Sequence, residues 1–294
     1  MVLVPGPRSP LPKGLAAVGR AGFTLLATAA PLLFAGYAVG TESISPTAFA
    51  VVHLGTGAMT LALLVGRGRL RASMAAGTEF VRPLALAVHA LLLASSLLFV
   101  DPARGAVALL GSIQLTQWIL AVWRGPRPRP LAWLGSLAIV GGIVGLVLPT
   151  ASPGLVLGTA FMSLAGFAWT GHARPDRDPE DAPARNANQH VVATVFAISL
   201  AVGMHKLFAF TPLGVALAAT SGAISAGLRH AGWDRMGPRL GARSAFARLA
   251  VPTLMVLGAS TILVAPIPLP AALSAALVLG GTALALVAKH GRAG

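Results

Sequence analysis

Residues 126–147 read PRPRPLAWLGSLAIVGGIVGLV, and residues 266–287 read PIPLPAALSAALVLGGTALALV. At a constant offset of 140 the two stretches match at eight of 22 positions without a gap. Ala and Leu matches are cheap in so apolar a chain. The three aligned prolines, with Gly141 over Gly281, are not. The copies differ in charge: the first Pro-x-Pro-x-Pro turn carries Arg127 and Arg129, the second Ile267 and Leu269. Proline removes a backbone donor and clashes with the preceding turn, so such clusters separate helices.

Outward from these turns, charge marks the rest of the chain. A spanning helix needs about 20 apolar residues, because a hydrocarbon core of about 30 Å is crossed at about 1.5 Å per residue. Six uncharged intervals have that length: those between Arg20 and Glu42, Glu42 and Arg67, Arg82 and Asp101, Arg104 and Arg124, Arg185 and Lys206, and Lys206 and Arg229. Two are double: Arg129 to Arg174 leaves 44 residues and Arg248 to Lys289 leaves 40. The first is split at Pro149-Thr150-Ala151-Ser152-Pro153 and the second at Pro266–Pro270, so each predicts a helical hairpin. The expected fold is all-α, a polytopic membrane protein of ten transmembrane helices. The runs are continuous rather than alternating with period 2, which excludes a barrel.

Composition agrees. Hydrophobic types make up 55% of the 294 residues, charged types 10%, and the mean hydropathy is +0.78. Soluble domains carry about 25% charged residues. The net charge of +14 does not point to nucleic acid, whose binders gather basic residues on one face or tail. Here the bases lie in bursts between apolar runs. With the N-terminus cytoplasmic, 20 of the 22 basic residues fall on the inner side, and only Arg104 and Lys206 fall outside. This is the bias that insertion imposes. There is no cysteine, hence no disulfide or thiolate chemistry.

With five helices per half, the second half enters the membrane inverted. The charged proline turn is then inside and the uncharged one outside. The expected organisation is a cytoplasmic tail (1–20), a first repeat (21–148), a second repeat (154–288) with a cytoplasmic loop (174–189), and a short cytoplasmic tail (289–294). Inverted repeats place a solute site near the midplane and suit alternating access.

Several stretches are similar to the EamA-type transporters of the drug/metabolite transporter superfamily. Ser43-Ile44-Ser45-Pro46, with Ala48-Phe49-Ala50, resembles the junction between that family's first two helices. Arg104-Gly105-Ala106-Val107-Ala108-Leu109-Leu110 resembles the start of its fourth helix. Gly166-Phe167-Ala168-Trp169 resembles the aromatic site of its sixth, and Leu249-Ala250-Val251-Pro252 the start of its ninth. His53 stands where that family often has arginine, and Ala30-Pro31 where it often has Trp-Gly. The resemblance covers about residues 20–290 and implies export of small metabolites, amino acids or drugs from the cell membrane.

No Asp or Glu lies within a predicted span. An intramembrane carboxylate suited to exchanging a cationic drug for a proton is therefore lacking, and a neutral, zwitterionic or anionic substrate is expected. Gln114 and Gln117, three apart, with Trp118 at i+4 from Gln114, predict a polar stripe on the fourth helix. Such amides either bond a solute or glue helices together, at about 0.6 kcal/mol each. His53, His89, Tyr37, Trp169, Thr220 and Ser221 are further pathway residues, each with an ordinary packing role as the alternative. Pro31 and Pro252 serve kinking or packing. No catalytic constellation, metal site or cofactor is expected, so the reading is non-enzymatic. Membrane lipid and a small-molecule substrate are the expected partners, and a homodimer is compatible with the reading. A non-transporting scaffold or sensor is the alternative, and a lipid-modifying enzyme a more distant one.

Overall fold

The computed structural model describes residues 13–75, 79–125, 129–149, 151–173, 182–203, 209–228, 241–263 and 266–290. Eleven α-helices follow one another among these residues. They are α1 (Lys13–Gly40), α2 (Pro46–Val65), α3 (Arg67–Ala75), α4 (Val81–Ser96), α5 (Pro102–Arg124) and α6 (Pro130–Val147). Then come α7 (Pro153–His172), α8 (Ala182–Gly203), α9 (Pro212–Gly222), α10 (Gly241–Leu263) and α11 (Leu269–His290). Helix α9 runs on as a π-helical segment, Ala223–Leu228. The described residues form no strand beyond an isolated bridge between Ile44 and Phe210.

Six helices are long and apolar enough to cross a membrane: α1, α2, α5, α6, α7 and α11. Shorter apolar stretches lie in α4, α9 and α10. Helix α3 was not anticipated. Its segment is Arg-rich, but Leu70 half-buries against the cluster of Leu61, Ala187 and Ala226. Gly66, with φ 84° and its N–H on the Ala62 carbonyl, turns the chain between α2 and α3. The loop expected over 174–189 is helical from Ala182 onward. Asn188 and Gln189 are buried there, so polarity did not mark a loop. Residues 174–181, His205 and Lys206 lie outside the described residues.

Four helices start the same way. Ser45, Asp101, Ser152 and Thr211 each cap a first turn through a side-chain oxygen, and Pro46, Pro102, Pro153 and Pro212 follow them. The oxygen satisfies an otherwise orphaned N–H, and proline at N1 forfeits only an N–H that was spare. Two of these starts are tied together. The Ser45 N–H donates to the Ala209 carbonyl (2.7 Å), and the Thr211 N–H to the Ser43 carbonyl (2.8 Å).

Size sorts the packing. The interior is rich in Ala and Gly: Ala27, Ala35, Ala87, Ala94, Ala165 and Ala197 are fully buried, while Leu63 (80% exposed) and Ile262 (84% exposed) face outward. Lipid is as apolar as leucine, so helices associate where small residues let backbones approach. Helices α6 and α11 form the most extensive such pair. A Cβ on Gly135 would lie 2.6 Å from the Gly281 carbonyl oxygen, and one on Gly142 would lie 2.8 Å from that of Ser274. Contacts rising in number along α6 fall along α11, so the two helices are antiparallel. Many hydroxyls bond a carbonyl one turn back on their own helix. Thr116 donates to the Ser112 carbonyl, Ser136 to Ala132 and Thr282 to Val278.

Candidate functional site: a central histidine-lined cavity

A cavity of about 140 Å³ lies at the centre of the bundle. Its wall draws on α1, α2, α4, α5, α7, α8, the π-helical segment and α10, whereas α3, α6, α9 and α11 contribute no lining among the described residues. Most of the wall is alkyl or aromatic, including Leu32, Phe49, Leu54, Leu93, Leu110 and Val256. Among the described residues the polar lining comprises His53, His89, His190, Trp169, Thr28, Ser225 and Thr253, with no Asp, Glu, Lys or Arg.

Glycine sets how closely the wall closes. Gly222 lies directly against the His53 carbonyl of α2, and a Cβ on Gly57 would come within 2.8 Å of the Ala226 Cβ and 3.3 Å of a His190 ring carbon. The π-helical segment carries Ser225 and Ala226 on the cavity wall. Such widened turns recur at functional sites.

Each cavity histidine is held by a specific partner. His53 Nδ1 and the Ser221 Oγ are 2.9 Å apart, linking α2 to α9. His89 Nδ1 lies 2.9 Å from the Ala165 carbonyl of α7, and His190 Nδ1 lies 2.8 Å from the Asn186 carbonyl one turn back. A carbonyl only accepts, so Nδ1 donates in these two rings and Nε2 is their basic nitrogen. The rings also form a series: His89 to Trp169 at 5.0 Å between centroids, Trp169 to His172 at 5.5 Å, and His172 to His190 at 6.2 Å.

Of the residues singled out from sequence, His53, His89, Trp169, Pro31 and Pro252 line this cavity, and Ser221 stands behind His53. The others lie elsewhere. Gln114 is buried with its amide nitrogen unbonded, Gln117 is exposed, and the half-buried Trp118 sets its ring edge-on to Trp133 at 4.6 Å. The expected amide stripe is therefore split. Positions three apart differ by about 60° around a helix of 3.6 residues per turn, enough to straddle the edge of a buried face. Tyr37 is 57% exposed near the end of α1, and Thr220 is exposed although its neighbour Ser221 is fully buried. Helix α1 continues through Pro31 and α10 through Pro252.

His190 was missed. The signal was present in Asn186-Ala187-Asn188-Gln189-His190, a polar run that α8 buries. Measuring intervals by charge alone passed over it.

The all-helical fold, with six helices long and apolar enough to cross a bilayer, is that of a multi-pass α-helical membrane protein. The chain belongs to the same family as an uncharacterized protein of Pseudomonas aeruginosa, with which it is 34% identical over 278 residues, 92% of this chain and 96% of that protein. A crystal structure of another protein shares the fold, with a TM-score of 0.59 and 21% identity over 92% of this chain and 100% of that one. No protein-family model matches the sequence.

Proposed function

We propose that this protein is a secondary transporter of the EamA type, exporting a small neutral, zwitterionic or anionic metabolite across the cell membrane by alternating access. In this reading ten spans form two inverted five-helix repeats, residues 21–148 and 154–288, with both termini cytoplasmic. The observation that carries it is the cavity, whose described lining comes from α1, α2, α4 and α5 in the first half and from α7, α8, the π-helical segment after α9 and α10 in the second. A solute site between repeats is what alternating access requires.

Two further observations support the reading. The helices that hold the matched proline stretches, α6 and α11, pack antiparallel, as oppositely inserted copies would. The capped Ser-Pro, Asp-Pro and Thr-Pro starts of α2, α5, α7 and α9 all fall on the outer side in this topology, and the arginine bursts on the inner. The walls carry two carbonyl-anchored imidazoles, one hydroxyl-anchored imidazole and an indole, a polarity that suits an amphipathic solute rather than a bare ion.

Flux in proteoliposomes, measured with a panel of labelled small metabolites, tests the proposal. Saturable flux of at least one solute is expected, lowered by His53→Gln. No flux of any solute by correctly folded protein contradicts it.

A further inference from the structure

The chemistry of the cavity narrows the solute class, an argument that rests on reading the cavity as the solute's site. A cavity of about 150 Å³ lined by aliphatic and phenyl side chains accepts a benzene ring, and this one is of that size, about 140 Å³. Its described wall is mostly hydrocarbon and includes no carboxylate among the described residues. An ammonium group would find no counter-charge among them. Thr28 directs its hydroxyl proton to the Thr24 carbonyl, 2.9 Å away. The imidazoles are the lining groups able to gain charge near neutral pH. In His89 and His190 the backbone carbonyls fix Nδ1 as the donor, so a further proton must arrive on Nε2. A carboxylate brought into such a space without a counter-charge is costly to desolvate, whereas one paired with an imidazolium is not. The anion and the proton stabilise each other, so they bind together.

We infer that the cavity takes a small apolar monocarboxylate together with one proton, and that His89 carries that proton on Nε2. The apolar body rests on the Phe49, Leu93 and Trp169 side of the wall, and the net load is that of the neutral acid. His89 is favoured because its ring lines the cavity, is locked to α7 through the Ala165 carbonyl, and leans on Trp169, where an imidazolium gains from the indole face. On α4 and the elements packed around it (α1, α2, α7 and α8), the other titratable or charged groups are Tyr37 on α1, His53 on α2, His172 on α7, Arg185 and His190 on α8, and Arg82 on α4 with its partner Glu79; Lys13 and Arg20, in the first turns of α1, have side chains outside those described. None of these is a carboxylate facing into the cavity.

The test is calorimetric binding of benzoate to the intact protein in nanodiscs, with benzamide and benzylammonium as neutral and cationic isosteres. Benzoate affinity is expected to fall from pH 6 to pH 8, toward the roughly 100-fold limit set by one linked proton over two pH units. Titrations at pH 7.5 in two buffers of different ionisation enthalpy are expected to show uptake of about one proton per benzoate. Benzamide is expected to bind more weakly at pH 6 and without pH dependence. In His89→Gln, proton uptake and the pH dependence are both lost. The inference is overturned if benzamide matches benzoate, if benzylammonium binds best, or if folded protein binds no benzoate at pH 6. Pronounced pH dependence persisting in His89→Gln overturns the assignment to that residue, and the wild-type comparison stands even if the variant does not fold. Proton-linked benzoate binding without flux would remove the transport reading alone. Flux of neutral solutes without benzoate binding would remove this inference alone.

Discussion

Gly135 and Gly281 meet backbone to backbone where α6 crosses α11, and neither tolerates a side chain. Gly141, aligned with Gly281 in the matched stretches, instead faces open space. Leucine at position 135 must push the helices apart, at a cost of about 1–3 kcal/mol or more, whereas Gly141→Leu is expected to be neutral. Thermal unfolding of the two variants in detergent separates them, and equal midpoints would contradict the packing described. Among cavity residues, Trp169→Ala removes a wall that His89 leans on. Its flux is expected to drop about tenfold, equivalent to about 1.4 kcal/mol, while Gln117→Ala, on the exposed face, leaves flux unchanged. A reversal of that order in proteoliposomes would move the site to α5. At this scale the sequence singled out His53, His89 and Trp169 by residue type, because titratable and amphipathic groups are rare in apolar spans, and passed over His190. It could not tell Gln114 from Gln117, since which side of a boundary a residue takes is set by neighbouring helices.

At the scale of elements, charge and proline position were the legible signals. Arginine bursts and Pro clusters bracket the helices because both are expensive in hydrocarbon or within a helix. What charge could not reveal was α3, whose nine residues hold three arginines yet anchor through Leu70. Nor could it reveal the first two turns of α8, where Asn188 and Gln189 are buried. The capped starts are a second legible device. Ser45→Ala and Thr211→Ala each remove a side-chain acceptor from a first turn, with an expected loss of about 1 kcal/mol apiece. The paired bridge at 43–45 and 209–211 predicts that the double variant costs a different amount from the sum, because the two caps flank one contact. Reversible unfolding in mixed micelles measures both quantities, and strict additivity would argue that the bridge does not couple them.

In the whole molecule three features come together: a matched pair of antiparallel helices, a bundle with small residues inside and large apolar residues outside, and a central cavity lined by histidines. The proposed repeat rests on three prolines at a fixed offset, a sequence feature that does not depend on packing. The cavity was not legible in the sequence, because enclosure is a property of eight segments meeting and leaves no local periodicity. The central claim is that the two halves lie in the membrane with opposite orientation. The chain has no cysteine, so single-cysteine variants report without background. Gly125→Cys and Pro268→Cys, at exposed positions flanking the two proline turns, should label with a membrane-impermeant maleimide from opposite sides: position 268 in intact cells, position 125 only after permeabilisation. Labelling of both from the same side would contradict the account.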